Sequence, residues 1–175
     1  MEKNVKILET DRLILRAWSR ADIDSLFEIM RDARVMRYLA DGLPFTFEQV
    51  EDFLIWAEHY QIENNFCRWK VIERSTGEVI GSCGFARTHA TEEVELGYLL
   101  AQKHWGKGLA TEAARAAMLY GFGKLNFREI IAMTDLENVR SQKVLEKIGF
   151  ARRGIEVYEG AETLVYLARN PEIIL

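Results

Sequence analysis

The stretch Trp105-Gly106-Lys107-Gly108-Leu109-Ala110-Thr111 sets two glycines between a strand-like apolar run and a long helical one. Glycine lets backbone N–H groups approach a bulky anion, and a helix start adds unpaired donors and the positive end of its dipole. A pyrophosphate suits such a turn. It is neither a P-loop, which needs Gly-Lys followed by Ser or Thr, nor a GxGxxG turn after a first strand. Taken alone, Gly106 and Gly108 are equally compatible with a tight strand-to-helix connection. Lys107 is either an added cation for the anion or a solvated surface group.

Other residues able to do chemistry flank this turn. Glu95 precedes it on the strand-like run, between Val94 and Leu96. Ser141 follows it on a helix face shared with Val144, Leu145 and Ile148, so its hydroxyl should point inward and need a partner. A back-bond to its own helix is the other outcome. Asn138 stands where an N-cap is favoured. Cys67 and Cys83 have no paired His, and His59, His89 and His104 are scattered, so neither a thiol nucleophile, a disulfide nor a metal site is expected.

The elements that must position these groups follow from periodicity. Arg12 to Ala17 reads as a part-buried strand. Asp22 opens a helix carrying Ile23, Leu26, Phe27 and Met30, and Thr46 caps a second with Val50, Phe53, Leu54 and Ala57 inward. Three β-rich runs follow, Cys67 to Glu73, Val79 to Arg87 and Glu93 to Ala101, with turns at Thr76-Gly77 and His89 to Glu92, predicting an antiparallel meander. Gly108 to Leu125 is a helix, Glu129 to Thr134 a strand and Asn138 to Ile148 a helix. Phe150 to Tyr158 and Glu162 to Ala168 form a final pair joined by Glu159-Gly160-Ala161. The expected fold class is α+β (α/β layered): one domain over residues 1–175, with a mixed, mostly antiparallel sheet of about seven strands flanked by about four helices.

With 175 residues, 49% apolar and 29% charged, the chain has the composition of an ordinary globular domain. A net charge of −4 argues against general affinity for nucleic acid or anionic membrane, so a polyanionic ligand must meet locally arranged donors. Met1 to Thr10 lacks the apolar core of a signal peptide, and no run approaches the length of a membrane span, so a cytoplasmic location is expected. A homodimer is the default assembly.

The chain resembles the GNAT superfamily of N-acetyltransferases, whose loop reads Gln or Arg, two residues, Gly, one residue, Gly or Ala. Here these positions hold Trp105, Gly108 and Ala110. The Trp departs from the general pattern, yet Trp-Gly-Lys-Gly followed by Ala-Thr-Glu-Ala is similar to the ribosomal-protein acetyltransferase (RimJ/RimL-like) branch. Thr10-Asp11-Arg12-Leu13-Ile14-Leu15-Arg16, Glu95-Leu96-Gly97-Tyr98, and Asn138-Val139-Arg140-Ser141 leading to Glu146-Lys147-Ile148-Gly149-Phe150 complete the likeness in fixed order.

The resemblance implies acetyl-CoA as cosubstrate and a primary amine, either a protein N-terminus or a small molecule, as acceptor. Backbone groups of Tyr98, Leu99 and Leu100 would pair with pantetheine amides as an added strand, and Trp105 to Thr111 would hold the pyrophosphate, with Asn138 and Ser141 beside the cofactor. Glu95 would be the base that takes the amine proton, unless it merely faces solvent from its strand. The family's tyrosine, positioned to protonate the departing thiolate, is replaced by Leu145, leaving that role to Ser141 or to no group. Trp18, Tyr38, Phe45, Phe47 and Trp56 are candidates to wall an acceptor slot. A non-catalytic acyl-CoA sensor and a purely structural domain are the alternatives.

Overall fold

A computed structural model describes residues 6–89, 91–158 and 160–172. Part of the expected His89 to Glu92 turn (residue 90), Glu159 of the last hairpin turn, and residues 1–5 of the N-terminal stretch lie outside the described residues. Eight strands form one sheet: β1 Lys6–Glu9, β2 Leu13–Arg16, β3 Arg68–Glu73, β4 Val79–Arg87, β5 Val94–Leu100, β6 Glu129–Thr134, β7 Ala151–Tyr158 and β8 Ala161–Arg169, in the spatial order β1-β2-β3-β4-β5-β6-β8-β7. Five α-helices connect them: α1 Ile23–Met30, α2 Ala33–Met36, α3 Phe47–Asn64, α4 Leu109–Gly123 and α5 Val139–Ile148.

The layered α+β architecture expected from the sequence is present, with one more strand and one more helix. β1 escapes periodicity because Lys6–Glu9 is a four-residue edge strand with charged ends, and α2 because it is a single turn capped by Asp32. Asp22 ends a 3₁₀ turn, Arg20–Asp22, and α1 begins at Ile23. Thr46 caps α3 as expected, its Oγ1 accepting the Gln49 N–H at 3.2 Å.

All neighbouring strands are antiparallel except β5 and β6. Those two run parallel, and their recorded pairing is the single match Glu95↔Ile131, although β5 continues to Leu100 and β6 to Thr134. Beyond that point the strands part.

Alternation along β3 to β5 sorts the side chains onto two faces. Trp69, Cys83, Phe85, Leu96 and Tyr98 point to the face covered by α4 and α5, where Trp69 meets Tyr120 edge-on and Gly121 packs so closely that a Cβ would fall 2.8 Å from Phe85. Arg68, Lys70, Ser82, Gly84, Glu95, Gly97 and Leu99 point to the opposite face, covered by α1 and α3. There Lys70 Nζ donates to both oxygens of Asp22 at 2.8 Å, the two side chains being 4% and 15% exposed.

That pair anchors the segment leading into α1. Removing one partner of a buried ion pair leaves an unmatched charge and costs about 3–5 kcal/mol. Asp22→Ala should therefore destabilise the chain by that amount in urea unfolding. Removing both charges with apolar groups (Asp22→Leu with Lys70→Met) should cost less than the single change.

Candidate functional site

The glycine-rich turn leaves the end of β5 through a 3₁₀ turn, Gln102–His104, and enters α4 at Leu109. Gly106 and Gly108 both have φ of +75°, and Gly108 is the helix N-cap. No heavy atom lies within 4 Å of a Cβ placed on Gly106, and the nearest to one on Gly108 is Arg12 Nη2 at 3.6 Å. Left-handed backbone, not crowding, therefore requires glycine at both positions. Without a capping side chain on Gly108, the first α4 N–H groups are free of intrahelical partners. Unpaired donors at a helix start are what an anion would need.

Arg12 braces this turn from the far end of the chain. Its backbone N–H donates to Glu112 Oε1 at 3.0 Å, its Nε to Glu112 Oε2 at 2.6 Å and its Nη1 to the Lys107 carbonyl at 3.0 Å, while the Thr10 hydroxyl reaches Glu112 Oε1 at 2.6 Å. Burial alone would raise the Glu112 carboxyl, but the hydrogen bonds from Thr10 and from the Arg12 backbone and side chain outweigh it and hold the group below the usual carboxylate range. A depressed folded value contributes stability above the unfolded value and loses it as pH falls through the folded one, so the brace weakens in acid. Sequence reasoning missed Glu112; its signal was that Thr-Asp-Arg and Ala-Thr-Glu-Ala both belong to the resemblance.

Trp105, the departure from the family pattern, has a structural task. Its indole N–H donates to the Leu100 carbonyl at 2.7 Å, and the Arg140 guanidinium lies 5.2 Å above its ring. The loop is thus fastened to the end of β5 and to the start of α5. The Leu100 carbonyl is engaged by this indole bond. Tyr98 and Leu99 lie past the last β5–β6 pair, with no ladder partner in β6. Leu109 is buried with its side chain in the core, so it can serve a ligand through its backbone alone; Ala110 and Thr111 are half-buried, and the Lys107 side chain is exposed.

At α5, Asn138 Oδ1 accepts the Ser141 N–H at 3.2 Å, the N-cap the sequence suggested. The Ser141 hydroxyl already has a protein partner, Tyr98 Oη at 2.9 Å, rather than waiting for one from a ligand. Burial pushes the Tyr98 phenol well above its ordinary value, so it stays protonated at neutral pH. Leu145 is 1% exposed within the core, and a phenol would not fit there without repacking.

Glu95 sits where β5 and β6 begin to part. Its Oε2 accepts from Arg68 Nη2 at 2.7 Å, and among the described residues no hydrogen bond reaches Oε1. The Arg68 guanidinium lies flat on Gly97, where a Cβ would come within 2.7 Å of Cζ and Nε. Arg68 carried no motif signal and was missed.

Of the aromatic candidates, Trp18 is buried against Phe53 and Phe47 is half-exposed against Phe27. Trp56 stacks between Phe53 and Tyr60, Phe45 is half-buried, and Tyr38 lies under Arg37, which reaches Glu137 before α5 at 3.9 Å. Trp18 and Trp56 thus meet through Phe53, while Phe47 packs on Phe27 and Tyr38 under Arg37. Burial pushes the Cys67 and Cys83 thiols up to about 12, far from thiolate formation. Among the described residues, no group of three or more His, Cys, Asp or Glu is arranged to hold a metal, and no helix is long and apolar enough to cross a membrane.

Replacing Gly108 by Val forces a β-branched side chain into φ of +75° and disturbs the helix start. Wild-type protein should gain about 2.7 kcal/mol at a CoA concentration of 100 times Kd, read as a rise in Tm. Gly108→Val should lose that rise; an unchanged shift would mean that the anion lies elsewhere.

Comparison with known proteins agrees with this geometry. Residues 12–151 match the acetyltransferase (GNAT) domain. The chain is 35% identical over 153 residues to the uncharacterized N-acetyltransferase p20 of Bacillus licheniformis, covering 86% of this chain and 85% of that one. It is 31% identical over 146 residues to the spermidine N(1)-acetyltransferase of Escherichia coli K12, covering 83% and 76%. The crystal structure of a GNAT-family acetyltransferase from Bacillus anthracis superposes with a TM-score of 0.81 at 27% identity, over 94% of this chain and 99% of that one. With its parted parallel strands, left-handed glycine turn and uncapped helix start, the chain belongs to the GNAT acetyltransferase family and is an acyl-CoA-dependent acetyltransferase.

Proposed function

We infer that the chain transfers the acetyl group of acetyl-CoA directly to a primary amine, with Glu95 as base and the Tyr98–Ser141 pair facing the departing sulfur. The observation that carries this reading is the order of groups along β5. The anion-binding turn follows its C-terminal end, the unpaired stretch Leu99 and Tyr98 leads back from it, and Glu95 stands at the start of the gap. Acetyl-CoA supplies the activated thioester. The first turn of α4 and the loop Trp105 to Thr111 would hold its pyrophosphate, and the free edge of β5 its pantetheine amides.

The amine arrives largely as an ammonium ion and must lose a proton before it can attack. Glu95 Oε1 is the open oxygen for that proton, while Oε2 is held by Arg68. Attack forms the new C–N bond and breaks the C–S bond, the electron pair leaves with sulfur, and the nitrogen's second proton passes to the departing thiolate or to solvent. The thiolate, whose conjugate acid has a pKa of about 8.5, is a weaker base than a phenolate whose conjugate acid has a raised pKa, so proton transfer from Tyr98 to the thiolate runs uphill. Tyr98 and Ser141 therefore serve by donating a hydrogen bond to the sulfur rather than by surrendering a proton. Two buried thiols without a paired His support direct transfer without an acyl-enzyme.

A protein N-terminus and a small amine both satisfy this chemistry. Membership of the RimJ/RimL-like branch is part of the proposal and rests on the Trp-Gly-Lys-Gly and Ala-Thr-Glu-Ala stretches.

In a thiol-release assay across amines and N-terminal peptides, Glu95→Gln should lower turnover by about 10²-fold with CoA affinity unchanged, and higher pH should partly restore it as more amine is neutral. Full activity at neutral pH would reassign the base. Tyr98→Phe and Ser141→Ala should each cost about ten- to 150-fold, the worth of one hydrogen bond to a charged group, and the double variant little more than either alone. Wild-type turnover in the double variant would show that sulfur departs unaided.

A further inference from the structure

Arg68 has more donors than Glu95 uses. Nη2 binds Glu95, whereas Nη1 makes no hydrogen bond among the described residues and Nε is buried without a partner. The side chain is nevertheless 32% exposed, so the outer edge of the guanidinium is open to a ligand. Its inner face is fixed by Gly97 on β5, and its strand position puts it opposite Gly84 on β4. Gly97 thus leaves the space in which this planar group lies flat, next to the candidate base.

The rest of this face offers hydrogen-bond donors and little free negative charge. The Ser82 hydroxyl and the Trp18 indole N–H are both buried without partners. Between Arg68 and Lys70, Ser82 and Ala86, and Glu95 and Leu99, the three strands present one carboxylate, Glu95, and it is paired. Lys70 is neutralised by Asp22. A second ammonium group entering here would find no unpaired carboxylate on these strands and would meet the Arg68 cation instead.

Resting on the acetyltransferase reading above, we propose that the acceptor is a small amine that also carries a carboxylate, an amino-acid zwitterion, with its carboxylate on Arg68 and its amine on Glu95. The protein's ion pair and the substrate's two charges then lie antiparallel. The Nη1 and Nη2 edge presents parallel N–H groups that match a carboxylate fork, which an ammonium group in place of Arg could not do. The Glu95 Oε1 that faces the amine is the oxygen assigned to take its proton. Arg68 is thereby a specificity-determining residue.

The test uses matched pairs under saturating acetyl-CoA: phenylalanine against phenethylamine, leucine against isoamylamine, and spermidine as a polyamine probe. For each pair, the ratio of kcat/KM for the amino acid to that for the amine is measured in wild type and in Arg68→Met. Any loss of Glu95 function or difference in amine basicity enters both ratios and cancels between the two proteins. The wild-type ratio should exceed the Arg68→Met ratio by about ten- to 150-fold, the worth of a charged hydrogen bond. Arg68→Lys should fall between them because it keeps the charge but loses the fork. It also replaces Arg68→Met as the readout if the latter shows no CoA-induced rise in Tm and so has not folded. Equal ratios in wild type and variant, or spermidine outpacing every amino acid, overturn the assignment while leaving the acetyltransferase reading intact. A wild-type protein that binds CoA but acetylates no amine overturns both.

Discussion

Everything distinctive in this molecule follows from the end of pairing between β5 and β6 after Glu95 and Ile131. Parallel strands normally keep an even ladder, and an exposed run of unpaired backbone groups inside a sheet is costly unless a partner arrives. The sheet holds together on both sides of the gap because β5 is fully paired to β4 and β6 to β8. The free edge that remains is therefore rigid. A ligand with its own amides can add to it without first ordering the protein.

The gap also joins the two faces of the sheet. Tyr98 and Ser141 lie on the side of α4 and α5, whereas Glu95 and Arg68 lie on the side of α1 and α3. Under the proposed roles, a thioester in the gap would be reachable from both faces, with Glu95 and the Tyr98–Ser141 pair kept apart. The glycine turn is tied to the same strand through the indole of Trp105 and to the N-terminal segment through Arg12 and Glu112. Residues more than 90 positions apart in sequence thus fix one loop.

Much of this was legible in the sequence. Helical and strand periods place α1, α3, α4, α5 and the central strands within a few residues, because each carries a clear apolar face. The glycine turn was legible because left-handed backbone favours one residue type, and Asn138 because capping favours a few. Arg68 and Glu112 were not, since their significance lies in partners on other strands and helices that no local period reports. For the same reason the inward face of α5 could be read, but not that Tyr98 on β5 would meet Ser141 there. The shielding of Leu145 became clear only from the packing around it.

The position of Arg68 bears on how the Glu95 carboxylate is held. Glu95, with only 16% of its side chain exposed, is a part-buried charge that the Arg68 cation pairs while fixing one oxygen. The fixed oxygen is unavailable, but the other is aimed by the same contact. Gly97 is what allows this arrangement. Any side chain there would displace the guanidinium, since a Cβ already falls 2.7 Å from Cζ. The glycine between Leu96 and Tyr98 thus acts through the side chain it admits, and the electrostatics of the acceptor side depend on a residue that has no side chain of its own.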